Sequence, residues 1–239
     1  MKRPAPRLAL LLLLLLPTPL AATAATQAST AAVPHVLRAV GRLDIPGSRV
    51  EDGLRRHYRE HCSGTLLAAP DAVAAALVLT AWHCLDYYTD LSRTIRFGLQ
   101  AADGALHWLP ARVIADGGSM AADWALLRLQ RPLPLERFVA ARVSARAPRA
   151  GDAFTMAGFP AATRTPGSRR RLRYHAGCRS TGHAGADLLT NCLARKGASG
   201  GAVFSGDRLV GVVSRGDGAG RSIFVPTARF RGRLRSLLD

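Results

Sequence analysis

Between residues 35 and 227 the sequence breaks into short apolar stretches separated by turn residues, and this rhythm restricts the fold more than any other feature. The stretches are Val36–Leu43, Gly64–Ala68, Ala76–Ala81, Ile95–Leu99, Trp108–Ile114 and Trp124–Leu129, then Ala153–Phe159, Arg171–Tyr174, Asp187–Cys192, Gly201–Phe204, Arg208–Ser214 and Ser222–Thr227. None has the length and spacing of an amphipathic helix, so an all-β sandwich or barrel is expected. Gln130–Asp152 holds Pro132, Pro134 and Pro148 among several arginines, and reads as the connection between two halves. Only the end changes period. Within Ala228–Leu238, Phe230, Leu234, Leu237 and Leu238 fall at helical spacing, so a C-terminal helix is expected. A chain of 239 residues, 48% hydrophobic and 21% charged, can bury the core that two small barrels or one large domain require.

The N-terminus carries Lys2, Arg3 and Arg7, an apolar run from Leu8 to Leu16, then Pro17, Pro19 and small residues ending in Ala22, Thr23 and Ala24. This has the form of a signal peptide over residues 1–24. A spanning helix needs about 20 apolar residues, more than this interrupted run supplies. The mature protein is expected to be secreted or periplasmic, without a membrane span. Residues 25–34 read as an unordered stretch or short propeptide.

Export makes disulfides the default use of the four cysteines, and no close Cys pair suggests zinc. Three connectivities are open in principle. We expect the local one, Cys62 with Cys84 and Cys178 with Cys192, which closes one loop around His83 and another just before residues 197–201. The leader removes three basic residues and no acidic one, so the formal charge falls from +17 to +14. Such a chain adheres to anionic surfaces, and Arg164, Arg169, Arg170, Arg171 and Arg173 are dense enough to form a patch. Aromatic residues do not interleave with this run, so no specific nucleic-acid surface is expected.

Three segments carry chemistry. In Gly197-Ala198-Ser199-Gly200-Gly201 a tight turn exposes the serine hydroxyl and aims the N–H groups of Gly197 and Ser199 at one point, where an oxyanion can sit. Serine is a poor nucleophile unless a base takes its proton. His83, in Thr80-Ala81-Trp82-His83-Cys84, ends an apolar run beside a cysteine and suits that base. Asp123 opens Asp123-Trp124-Ala125-Leu126-Leu127, where a buried carboxylate needs partners such as a histidine N–H. Asp116 is the nearest rival, but Gly-Gly-Ser follows it, and a loop is expected there.

These segments, with CSGTLL (62–67), LVLTAWHC (77–84), CLARKGASGG (192–201) and VVSRG (212–216), resemble the chymotrypsin-like serine peptidases, with spacing similar to the compact bacterial branch that includes glutamyl endopeptidases. The order His, Asp, Ser is that of chymotrypsin. The resemblance implies two six-stranded antiparallel β-barrels, one over residues 35–130 and one over 153–239, joined by a linker at 131–152. It places a catalytic triad of His83, Asp123 and Ser199 in the cleft between them and an oxyanion hole at the N–H groups of Gly197 and Ser199. It implies substrate binding at Leu193, Lys196, Ser214, Arg215 and Gly216, with Ser214–Gly216 pairing to an extended peptide. No cofactor or metal is implied. The partner expected is a protein or peptide substrate, met by a monomer.

Two departures from the family bear on activity, and two further positions bear on specificity. Ala198 stands where animal members carry an aspartate, and there is no matching start sequence, so activation through that ion pair is not available. Trp82 stands where a small residue usually precedes the histidine. Leu193 offers no acidic pocket floor, and Val213 occupies the position of the histidine in glutamate-specific relatives. Arg195, Lys196, Arg215 and Arg221 still place positive charge near the cleft. The leading expectation is a secreted serine endopeptidase. Its rivals are a catalytically silent cationic protein of the same fold that binds anionic polymers, and an esterase or self-processing protease.

Overall fold

The computed structural model describes residues 33–149, 151–162 and 169–238. The expected signal peptide, most of the stretch to residue 34, and Arg164 lie outside the described residues.

Six strands form the first barrel: β1 (Val40–Glu51), β2 (Leu54–Leu67), β3 (Ala74–Thr80), β4 (Ile95–Gln100), β5 (Leu106–Asp116) and β6 (Ala125–Pro134). All pairs are antiparallel in the order β1-β2-β3-β6-β5-β4, and Arg42–Asp44 close the cylinder against Arg96–Gly98. Inward positions alternate along each strand, as the pleat demands. Leu43, Leu66, Val78, Phe97 and Leu127 fill the interior with no side chain open to solvent.

The second barrel comprises β8 (Ala153–Gly158), β9 (Arg173–Ala184), β10 (Asp187–Thr190), β11 (Ala202–Ser205), β12 (Arg208–Gly216) and β13 (Ser222–Pro226), preceded by a two-residue β7 (Arg142–Val143). The order β11-β8-β9-β10-β13-β12 returns to β11, so this sheet also closes on six strands, with β7 added parallel to β12. Phe154 and Phe224 meet edge to face at its centre, ring centroids 5.3 Å apart. Helix α1 (Arg231–Leu238) follows a 3-10 turn at Thr227–Phe230. Leu37, Leu79, Leu126, Phe204, Val212, Phe230 and Leu234 form one shared apolar cluster. It joins the two barrels and receives the C-terminal helix.

Several expected boundaries shift. Val36–Ala39 belong to a 3-10 turn that opens after Pro34, and the strand starts at Val40. The first two strands run far beyond their apolar parts as a ribbon that turns at Asp52-Gly53, both with positive φ, the Asp-Gly signature of a tight hairpin. The expected connection at 131–152 is partly sheet. β6 continues to Pro134, and Ala141 exchanges backbone hydrogen bonds with Leu66 and Ala68.

Candidate active site

The chain reaches the site from both barrels. After β3, residues Trp82–Leu85 make a single 3-10 turn that presents His83, and the Cys62–Cys84 bridge ties that turn to β2. Cys178 and Cys192 form the second bridge, so both local pairings are present. Ahead of β6, residues Met120–Ala122 make another 3-10 turn that delivers Asp123. This loop folds back so tightly that a Cβ on Gly117 would lie 1.8 Å from the Ala122 carbonyl oxygen. Asp116, at the end of β5, is exposed.

Asp123 has no solvent exposure, and both of its oxygens are engaged. The His83 backbone N–H donates to Oδ1 at 2.9 Å, the His83 ring meets Oδ2 through Nδ1 at 2.9 Å, and the Ser214 hydroxyl donates to the same Oδ2. A carboxylate only accepts, so the proton of His83 sits on Nδ1 and Nε2 is left as the acceptor. Burial pushes the Asp123 carboxyl up, but the hydrogen bonds and charge of His83 and the hydrogen bond of Ser214 outweigh it. The carboxyl is held below its ordinary range and stays ionised.

Ser199 stands at the end of the segment between β10 and β11. Gly197 and Gly200 have φ of +90° and +77°, and a Cβ on Gly200 would lie 2.1 Å from Thr80 Oγ1. The turn is therefore pressed against the end of β3, two residues before His83 begins its own turn. Ser63 donates its backbone N–H to the Ser199 carbonyl, and Gly200 donates to Val213, next to Ser214, each at 2.8 Å. The histidine, aspartate and serine segments are thus bonded to one another. The Ser199 hydroxyl makes no hydrogen bond among the described residues.

The oxyanion turn is held from behind. Ala161 donates its N–H to the Lys196 carbonyl at 2.8 Å, and in a trans peptide this directs the Gly197 N–H the opposite way. The Gly197 carbonyl accepts from Ser63 Oγ at 2.8 Å and from the Arg170 guanidinium at 3.3 Å. Neither the Gly197 nor the Ser199 N–H has an acceptor among the described residues, which leaves two donors for a developing oxyanion. Arg170 also donates to the carbonyls of Phe159 and Cys62. Burial pushes its pKa down to about 10.

The expected substrate-binding residues divide. Leu193 and Lys196 are exposed. Ser214 is buried and committed to Asp123, and the Arg215 guanidinium donates to its hydroxyl at 3.2 Å. The two segments that carry these residues touch: a Cβ on Gly216 would lie 2.8 Å from that of Ala194, and Gly218 N–H donates to the Ala194 carbonyl. Among the described residues, Cys62, His83 and Cys84 are the one grouping with metal-ligand spacing, but both sulfurs are bridged and offer no thiolate. The sequence reading missed Ser63 and Arg170. Ser63 lay inside a quoted motif, whereas Arg170 carries no signal that separates it from its arginine neighbours.

Residues 62–212 match the family model of the trypsin-like peptidase domain. The chain belongs to the trypsin-like peptidase family. No curated protein matches the sequence. Among solved structures, this peptidase-family chain is similar to the crystal structure of the Rv3671c protease from M. tuberculosis in its active form. The two share 16% identity over 84% of this chain and 81% of the other, with a TM-score of 0.58. That likeness supports the fold, and neither match assigns the chain to a branch of the family.

Proposed function

We propose that this trypsin-like peptidase is an exported serine-type endopeptidase with His83, Asp123 and Ser199 as its catalytic triad. The observation that carries the reading is the buried Asp123 carboxylate, which fixes His83 with Nε2 free to accept. Ser199 Oγ attacks the scissile carbonyl while His83 takes its proton, and the N–H groups of Gly197 and Ser199 receive the oxyanion. His83 then protonates the leaving amine, and water enters by the same route to release the acyl group. Asp123 stays ionised and stabilises the imidazolium. The leader-like residues 1–24 and the two disulfides support export, and no described helix is long and apolar enough to cross a membrane. The contact of Ala194 with Gly216 favours Gly or Ala as the residue on the acyl side of the scissile bond.

The test is reaction of the disulfide-bonded mature protein with a fluorophosphonate, with the adduct located by mass spectrometry, and then a peptide library. The expected outcome is an adduct on Ser199 that vanishes in Ser199→Ala and His83→Ala, with cleavage after small residues. A folded protein that takes no label would overturn the reading and favour the cationic binding protein of the same fold.

A further inference from the structure

The arginine run that enters β9 has two faces. Arg170 turns inward and grips the carbonyls of Cys62, Phe159 and Gly197. Arg169, Arg171 and Arg173, at alternate positions, line a cavity of about 570 Å³ together with Arg195 and His175. This division follows the period of two of an extended chain. No acidic side chain lines the cavity, and none of the four guanidiniums pairs with a carboxylate among the described residues. Of the residues outside the described ones, 1–32, 150 and 163–168 contain no Asp or Glu, and Asp239 is the one acidic residue among them. Four arginines line one space without an acidic neighbour in its wall, which favours an anion as its occupant.

The cavity also touches the oxyanion turn. Ala198, next to Ser199, forms part of its wall. So does Ala161, which holds the Lys196 carbonyl and thereby orients the Gly197 N–H. His175 Nδ1 accepts the Leu193 N–H at 3.1 Å and ties the far wall to the same segment. Arg170, between two cavity arginines, holds the Gly197 carbonyl from the other side. A ligand that draws the guanidiniums together therefore acts on the donors of the oxyanion hole through one continuous set of contacts.

We propose that this cavity binds a small polyanion carrying two or more phosphoryl groups, and that its occupation tightens the hold on the oxyanion turn and raises the reactivity of Ser199. Guanidinium forks match the paired oxygens of such groups, and the space exceeds what one tetrahedral oxyanion fills. The activating part rests on the reading of Ser199 as nucleophile; the binding part does not.

The experiment is calorimetric titration of the mature, disulfide-bonded protein with tripolyphosphate at fixed ionic strength, paired with the rate of fluorophosphonate labelling. One saturable site is expected, weakened at least tenfold in Arg171→Gln/Arg173→Gln and unchanged in Arg233→Gln/Arg235→Gln on the exposed face of α1. The Arg171→Lys/Arg173→Lys pair, which keeps the charge and loses the fork, should fall between. Labelling should rise several-fold with the same midpoint, because occupation of one site governs both readouts. Thermal melts check folding, and if the double glutamine variant melts early, Arg195→Gln gives the same reading. Several weak sites reduced equally by either double glutamine variant would overturn the proposal in favour of diffuse adsorption. Tighter binding of hexaglutamate, with the same sensitivity to the variants, would overturn the phosphoryl chemistry. Binding with an unchanged labelling rate would overturn the coupling. Binding without labelling under any condition would leave the site standing and sink the Ser199 reading.

Discussion

Asp123 and Arg170 are two buried charges with opposite relations to their surroundings. The carboxyl of Asp123 is held down by His83 and Ser214 against the push of burial. Its contribution to stability is complete above the ordinary carboxylate value of about 4 and drains away as pH falls through the lower folded value. Replacing Ser214 with Ala removes one donor to the charged form. The folded value then rises, and the loss of stability in acid should begin at higher pH than in the parent. Melts of the two proteins across the acidic range check this, and coincident stability profiles would count against it. The pKa of Arg170 is also lowered, to about 10, but there the cause is burial and the charged form is the one disfavoured. It is a positioning residue, since it holds carbonyls and not the reacting atoms. Arg170→Met should lower kcat by about 10- to 100-fold with little change in KM, less than the roughly 10²- to 10³-fold loss of an oxyanion donor itself. Arg170→Lys should not restore it, because burial lowers a lysine readily and the fork to three carbonyls is gone. A rise in KM alone would contradict this role.

Elements matter here mainly by where they end. β3 and β6 are ordinary apolar strands, yet the turn after one carries His83 and the turn before the other carries Asp123. The C-terminal segment braces the second turn. Trp124 stacks on Phe230, with centroids 4.5 Å apart and planes 9° from parallel, and Arg229 joins Asp187 to the Ala121 carbonyl at 2.9 Å. Trp124→Ala should therefore cost about 3 kcal/mol of stability, at the low end for a large aromatic because Trp124 is only partly buried, and also reduce activity. Denaturant titration beside a kinetic assay checks both, and an unaltered midpoint would exclude the brace. Elements the sequence reading placed poorly share one cause. β9 was expected only at Arg171–Tyr174 but extends to Ala184, since its exposed face removes the apolar alternation that marks a strand. The ribbon from Asp44 to Glu60 hides among charged residues for the same reason.

At the scale of the molecule, neither barrel makes the site alone: the first supplies His83 and Asp123, and the second supplies Ser199 and Ser214. The cluster holding Leu79, Leu126, Phe204, Val212 and Leu234 couples them, so unfolding should be a single transition with coincident fluorescence and circular-dichroism curves. Two separated transitions would show independent barrels. The sequence by itself determined the all-β class and the local disulfides, and it marked the three candidate segments, because glycine turns, strand-end motifs and cysteine neighbours are local patterns. Tertiary structure alone decided the rest. It turned Arg170 inward while Arg169, Arg171 and Arg173 line a cavity, committed Ser214 to Asp123, and set Gly216 against Ala194. Which way a side chain points, and whether two walls meet, depends on neighbours distant along the chain, and residue type at one position carries no record of them.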